Sequence, residues 1–332
     1  MLEKMLETST KPYDVVIIGA GSAGLSAAIY TARKKLSTLI VSLDVGGQTN
    51  LTNRIENYPG ALPQPGHALM ETMLEQAEGF GAELLQGKAV SIKEKNEGGK
   101  KVFTTILADG KKIKSRAVII ASGKVPRTLN VPGEEKFFGK GVFTCIVCDG
   151  PLFAGKTVAV VGGGNSAFEG VLELAKIGAA KIYLLVREKN FVADEITVEK
   201  VKKLAKQKPG FIEILTETIV KEFKGNKLLE KIIVENTAEK REKEITVNGV
   251  FLEIGYVVDP SLFKNLVKIN EKNEIIIDER NQTSCEGVFA AGDVTNTPFK
   301  QSIISAGEGA KAALQCHRWL SGVKGTGTAI DW

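Results

Sequence analysis

Four cysteines and two histidines in 332 residues leave few of the ligands on which zinc and other transition metals depend. Aromatic residues are only 6%, and no uninterrupted apolar run approaches the ~20 residues of a membrane span. Charge of one sign is scarce too: 44 basic residues stand against 39 acidic ones, a net of +5. The lysines are interleaved with glutamates, as in Glu94–Lys101 and Lys240–Lys243. Such a pattern makes a solvated surface and not a polyanion groove, which argues against a nucleic-acid partner. Residues Met1 to Tyr13 include Glu3 and Glu7 and no apolar stretch with a cleavage site, so they do not read as a signal peptide. A cytoplasmic location is the expectation. In that reducing compartment cysteines rarely act as structural staples, and a Cys-x-x-Cys spacing points to metal or redox chemistry.

Glycine is abundant instead. Thirty-five of 332 residues are glycine, against a usual ~7%, while 43% hydrophobic and 25% charged residues match an ordinary globular protein. The length predicts two or three domains. Two stretches repeat one another: DVVIIGAGSAGLSAAIYTARKKLSTLIVSLD from Asp14 to Asp44, and KTVAVVGGGNSAFEGVLELAKIGAAKIYLLVRE from Lys156 to Glu188. Each passes from an apolar β-branched run through a glycine turn into an alanine-rich helical segment and a second apolar run. Both are βαβ units.

In the first unit Gly19 allows the sharp turn, Gly21 allows the backbone to approach a pyrophosphate, and Gly24 allows close helix–strand packing. Gly162, Gly164 and Ala167 hold the same offsets in the second. A lone copy of this motif is weak, since a tight turn without ligand explains it equally well. Two copies in strand–turn–helix context point to two dinucleotide sites. About 20 residues beyond its last glycine each unit should present a side chain to the adenosine ribose. The first offers Asp44, which suits two hydroxyls but could also be a solvated turn residue. The second offers Arg187 and Glu188.

Lys88 to Ser115 alternates as an antiparallel meander would, with turns at Gly98-Gly99 and Asp109-Gly110. RAVIIASG (Arg116 to Gly123) and GVFAAGDV (Gly287 to Val294) read as buried strands, and Ser305 to Leu320 as a helix. The expected fold is α/β, with two Rossmann-like three-layer domains, the second inserted in the first. Residues 1–125 and 256–332 form one dinucleotide-binding domain of this scheme, and 126–255 the inserted one.

Cys145 and Cys148 lie in FTCIVCDG, just before the second βαβ unit. They could be half a zinc site or two buried thiols. Zinc needs four ligands, and Cys285, Cys316, His67 and His317 are scattered, so only a zinc shared across a dimer would serve. A redox dithiol is the stronger reading, because this spacing closes a small disulfide ring and lowers one thiol's pKa. No metal is therefore expected. Cys285 and Cys316 read as buried small hydrophobes.

The motifs IIGAGSAG, GGQTN, ENYPG, IIASG, CIVCDG, VVGGGNSA and GVFAAGDV, in this order, resemble those of the low-molecular-weight thioredoxin reductases along nearly the whole chain. The tail FKQSIISAGEGAKAAL is also similar to the flavoprotein subunit of alkyl hydroperoxide reductase, whose N-terminal thioredoxin-like domains have no counterpart here. The resemblance implies FAD held by Gly19, Gly21, Ser22, Ala23, Gly24, Asp44, Gly47, Gln48, Asn57, Ala121, Ser122, Gly123, Gly292, Asp293, Lys300, Gln301 and Ser302. It implies a nicotinamide nucleotide held by Gly162, Gly164, Asn165, Ser166, Ala167, Arg187 and Glu188. Cys148 would face the flavin, Cys145 would attack a thioredoxin- or glutaredoxin-like protein, and Asp149 would move the proton. A homodimer, and rotation of one domain against the other, are also implied.

The sequence departs from the family at one place. NADPH-using members carry several arginines after the second strand, where this chain has Val186, Arg187, Glu188 and Val192. A carboxylate repels a 2′-phosphate but accepts hydrogen bonds from an unmodified ribose, so NADH is expected over NADPH. The competing functions are a flavin dithiol oxidase that uses oxygen, against which the intact GGGNSA turn argues, and a non-catalytic redox- or nucleotide-sensing module.

Overall fold

Val15, Val16, Ile17 and Ile18 are consecutive and all buried, which a strand permits only when both faces of its sheet are covered. The computed structural model describes residues 12–52 and 55–322, so most of the N-terminal stretch read as lacking a signal peptide lies outside the described residues. The chain divides into two compact units, Met1–Val125 with Val257–Trp332, and Pro126–Tyr256.

The first unit opens with β1 (Tyr13–Ala20), α1 (Ser22–Arg33), β2 (Thr38–Val45), α2 (Gly66–Gly79) and β3 (Glu83–Gln86). β4 (Ala89–Glu97), β5 (Lys100–Leu107) and β6 (Lys112–Ile120) follow. Strands β3, β2, β1 and β6 are neighbours in one parallel sheet; the apolar runs predict β1, β2 and β6, and β3 adds an edge strand with no such run. β4, β5 and the first half of β6 form the predicted antiparallel meander.

The second unit repeats the plan with β7 (Thr157–Val161), α3 (Asn165–Ile177), β8 (Lys181–Leu185), α4 (Glu195–Gln207) and β9 (Ile212–Leu215). A three-stranded meander, β10 (Thr218–Gly225), β11 (Leu229–Asn236) and β12 (Arg241–Thr246), precedes β13 (Gly249–Leu252). Its parallel sheet runs β9-β8-β7-β13 and ends on Val142–Phe143. This unit starts and finishes side by side, since the Arg127 N–H donates to the Gly255 carbonyl at 2.9 Å. The chain then completes the first unit with β14 (Val288–Ala290), parallel to the second half of β6, and α5 (Ser302–Leu320). α5 begins one turn before the predicted Ser305.

Alternation along β1 separates two cores. Val15 and Ile17 face α1, α2 and α5, meeting Leu25, Met70 and Ala312, whereas Val16 and Ile18 face Phe103, Val258 and Phe263. In the second unit Val158 and Val160 pack on Phe168 and Leu174 of α3, while Ala159 and Val161 pack with Phe223 and Ile232 of the meander. Full burial of each such branched or aromatic side chain stabilises the fold by about 1.5–3 kcal/mol. Each unit is thus a parallel sheet with helices on one face and a β layer or loops on the other.

α1 and α5 approach through small residues. A Cβ built on Gly309 would lie 2.0 Å from the Ala23 carbonyl oxygen, a distance only backbone movement could relieve. Gly309→Val should therefore lower unfolding free energy by about 3 kcal/mol, the upper end of ordinary overpacking costs. Chemical denaturation checks this, with an unchanged midpoint counting against such close helix contact.

Candidate active site

In the first unit, the glycine turn after β1 forms one wall of a cavity of about 630 Å³, inside the range of ordinary ligand sites. Gly19 adopts φ +108°, and a Cβ there would lie 2.2 Å from the Ala121 carbonyl oxygen at the end of β6. Gly24 sits so close to Gly19 that a Cβ would fall 1.8 Å from its carbonyl oxygen. α1 therefore starts against the strand ends. Its N-cap is Gly21, with no side chain capping the first turn, so the orphan N–H groups there are free for an anion.

Of the seventeen residues expected to hold FAD, all but Gly24 line this cavity. Gly24 instead makes the helix–strand contact behind the turn. Asp44, at the end of β2, and Ala121 to Gly123, after β6, stand on strands that flank β1 on opposite sides. Hydrogen bonds knit the rim. Gln48 Nε2 donates to the Lys124 carbonyl at 3.3 Å, Asn57 Nδ2 to Gln301 Oε1 at 3.4 Å, and the Ser22 and Ser302 hydroxyls bond to each other. The pyrophosphate-sized cradle, uncapped N–H groups and terminal carboxylate of Asp44 fit FAD.

Among the lining or supporting residues that escaped the sequence reading, four hold the site's polar framework. Glu308 on α5 is buried, and its carboxylate accepts the Gly292 N–H at 2.6 Å and the Thr297 hydroxyl, fixing the turn that presents Asp293. Ser305 donates to Asp293 Oδ1 at 3.3 Å. The signal was an acidic residue on the small-residue face of a helix. Lys124 directly follows a motif that was read as ending at Gly123, and Glu274 lies in an aperiodic loop with no local signature.

In the second unit the dithiol sits on a single helical turn, Ile146–Asp149, where Cys145 and Cys148 are joined by a disulfide of S–S 2.07 Å and Cα–Cα 5.3 Å. The Cys148 N–H donates to Cys145 Sγ at 3.0 Å. Ile146 is buried against α3, where Gly170 leaves room for it: a Cβ there would meet its Cδ1 at 2.2 Å. Asp149 is half-buried, and that burial pushes its carboxyl pKa up. Cys148 is exposed and Cys145 half-buried.

Gly164 caps α3, again without a side-chain cap, and Asn165 and Ser166 are exposed at its start. Ala167 is buried and packs where Gly24 does in the first unit, its Cβ 3.0 Å from a Cβ built on Gly162. The loop after β8 folds back on this turn. Val192 N–H donates to the Gly163 carbonyl at 2.9 Å, and Asn165 and Asp194 exchange bonds of 2.9 and 2.7 Å. Arg187 and Glu188 are exposed and pair with each other, Nε to Oε1, at 2.9 Å. Glu253 follows β13 beside Gly162, and burial pushes its carboxyl up to about 7. It, too, was missed.

Cys285 and Cys316 are buried, and burial raises both thiols, Cys285 to about 11. Neither is placed for exchange chemistry. Among the described residues no group of three or more His, Cys, Asp or Glu could hold a metal ion, and no helix is long and apolar enough to cross a membrane.

These features recur in known proteins. Residues 13–313 match the family model of the pyridine nucleotide-disulphide oxidoreductases. The chain is 38% identical to the thioredoxin reductase of Aquifex aeolicus over 328 residues, 98% of each. It is also 38% identical to an alkyl hydroperoxide reductase subunit of Staphylococcus aureus over 310 residues, which is 93% of this chain but only 59% of that one. Crystal structures of thioredoxin reductases from Lactococcus lactis and T. acidophilum superpose with TM-scores of 0.79 and 0.78 at 33% and 32% identity. Each comparison covers 94% of this chain, with 100% and 99% of the respective structures. With a disulfide at the Cys-x-x-Cys spacing and the glycine turn in both units, the chain belongs to the pyridine nucleotide-disulphide oxidoreductase family and is a disulfide reductase of its thioredoxin reductase branch.

Proposed function

We propose that the first unit holds FAD in its cavity, that the second holds NADH at the start of α3, and that Cys145 and Cys148 reduce a thioredoxin- or glutaredoxin-like protein. The observation that carries this reading is the Cys145–Cys148 disulfide, set on one turn in the unit that also bears the second glycine motif. Bound FAD would supply the two-electron exchange between nicotinamide and sulfur. The remaining chemistry belongs to the side chains.

With the pair reduced, the Cys145 thiolate attacks one sulfur of the partner's disulfide, and the partner's other sulfur leaves as a thiolate. Asp149, whose burial favours the protonated form, donates the proton that this leaving sulfur needs. Cys148 then displaces the partner from Cys145, closing the ring and releasing a dithiol. The intact second glycine turn supports a reductase over an oxygen-using dithiol oxidase, which needs no nicotinamide site. A homodimer in the cytoplasm completes the reading.

For the nucleotide, the ionic pair between Arg187 and Glu188 supports NADH, since the one arginine near the expected ribose already faces a carboxylate. Steady-state kcat/KM should be higher with NADH than with NADPH. Glu188→Arg should move the ratio about tenfold toward NADPH, the scale of one charged contact; equal efficiency in the parent would refute the preference.

Replacing Cys148 by serine should leave flavin bound and NADH oxidation by ferricyanide intact while abolishing reduction of a protein disulfide. Full protein-disulfide turnover in C148S would sink the assignment. Asp149 provides a second test through pH. Its raised pKa keeps the carboxyl protonated to higher pH, so turnover should decline as pH rises through that pKa. Asp149→Asn should cut disulfide turnover about 100-fold and flatten this limb, sparing ferricyanide reduction.

A further inference from the structure

Lys124 directly follows the Ala121–Gly123 turn, and its ammonium meets Glu274 Oε1 at 3.4 Å. Lys300 meets the same oxygen at 3.4 Å. The other carboxylate oxygen accepts Asn270 Nδ2 at 3.0 Å. Lys300 also donates to the carbonyls of Asp293, at 3.3 Å, and Thr295, so its three protons meet three acceptors. Lys124 has only Glu274 as an ionic partner among the described residues, which leaves donors to spare.

The cluster is largely sheltered. Side-chain exposure is 19% for Lys124, 21% for Lys300 and 10% for Glu274, and both lysines line the cavity. Burial alone would push the Glu274 carboxyl up, but the Asn270 hydrogen bond and the two ammonium groups outweigh it and hold its pKa below the usual range. The glutamate is therefore ionised at neutral pH. Two ammonium groups against one carboxylate leave the cluster itself with one positive charge, on a wall whose other charged residues, Asp44, Glu56 and Asp293, are acidic.

Topology says which part of a dinucleotide meets that charge. The phosphates belong at the start of α1 and the adenosine ribose at Asp44 on the β2 side, so the other half extends past β1 toward β6, where Lys124 stands. There the ring system would accept two electrons and one proton as a hydride from the nicotinamide, which becomes its oxidised cation. The reduced ring is left with one negative charge at neutral pH.

We propose that Lys124, braced by Glu274, is a redox-tuning residue, whose ammonium faces the flavin ring and raises its affinity for electrons. This rests on the reading that the cavity holds FAD. A unit charge within about 10 Å at an effective dielectric near 20 suffices for roughly a tenfold effect.

The test is equilibrium reduction of purified holoenzyme against a reference dye, followed by flavin absorbance. Lys124→Met should lower the reduced-to-oxidised flavin ratio about tenfold at a fixed dye potential, a shift of about 30 mV to more negative values for a two-electron couple. Lys124→Arg should restore the parent value. Glu274→Gln should move the potential the opposite way, because it removes the only negative member of the cluster. That reversal of sign is something a merely structural role would not produce. If Lys124→Met does not fold, Glu274→Gln decides: a positive shift supports the assignment, and no shift or a negative one overturns it. An unmoved potential in flavin-loaded Lys124→Met overturns the tuning role alone, whereas a protein that takes up no added FAD defeats the cofactor reading as well.

Discussion

The first unit depends on a line of backbone contacts that no Cβ could share. Gly19 lies against the Ala121 carbonyl, Gly24 against the Gly19 carbonyl, and Gly309 against the Ala23 carbonyl. Together they draw the end of β6, the start of α1 and the face of α5 to within van der Waals distance around one turn. A cavity wall built this way presents peptide groups and helix N–H donors instead of side chains. That is the chemistry a pyrophosphate selects. The second unit reaches a similar geometry by a slightly different route: Ala167 stands at the position of Gly24, and the turn there leaves room for its methyl group.

The two units share a plan but differ in what they add to it. The first surrounds its turn with internal polar groups, of which Glu308 is the most consequential: a buried carboxylate satisfied by a backbone N–H and a threonine hydroxyl is stable, and it immobilises the Gly292–Asp293 turn. The second leaves its helix start open, and uses the Asn165–Asp194 pair to hold the neighbouring loop. Its charged residues beyond β8 are exposed, where solvent screening keeps an individual ion pair weak. The dithiol is covalently closed and sits on a short turn anchored by Ile146, which fixes its place without a metal or a helix of any length.

Much of this was legible in the sequence because it is local. Apolar runs bounded by glycine turns announce parallel strands and the helices between them, and β1, α1, β7 and α3 fall where those patterns put them. The residues expected to hold FAD could be listed because they belong to short motifs, and all but Gly24 share one cavity. What could not be read arises from contacts between distant segments. Glu274 matters because Lys124 and Lys300 converge on it, and no local period marks it. Similarly, the raised carboxyl of Glu253 follows from burial at a sheet end, which spacing does not encode. The first turn of α5 was missed because Ser302 to Ile304 have no strong helix-start signal: its N-cap is Gln301, without a capping bond.

The neighbouring ends of the second unit have a bearing on how such a chain could arise and fold. Because Arg127 and Gly255 are hydrogen-bonded neighbours, the long excursion between them closes as tightly as a hairpin. Once the insert has folded, it costs its host little more loop-closure entropy than a short turn would. An arrangement of that kind lets the interrupted sheet form after the insert has folded, because the strands on either side of it need not stretch to span it.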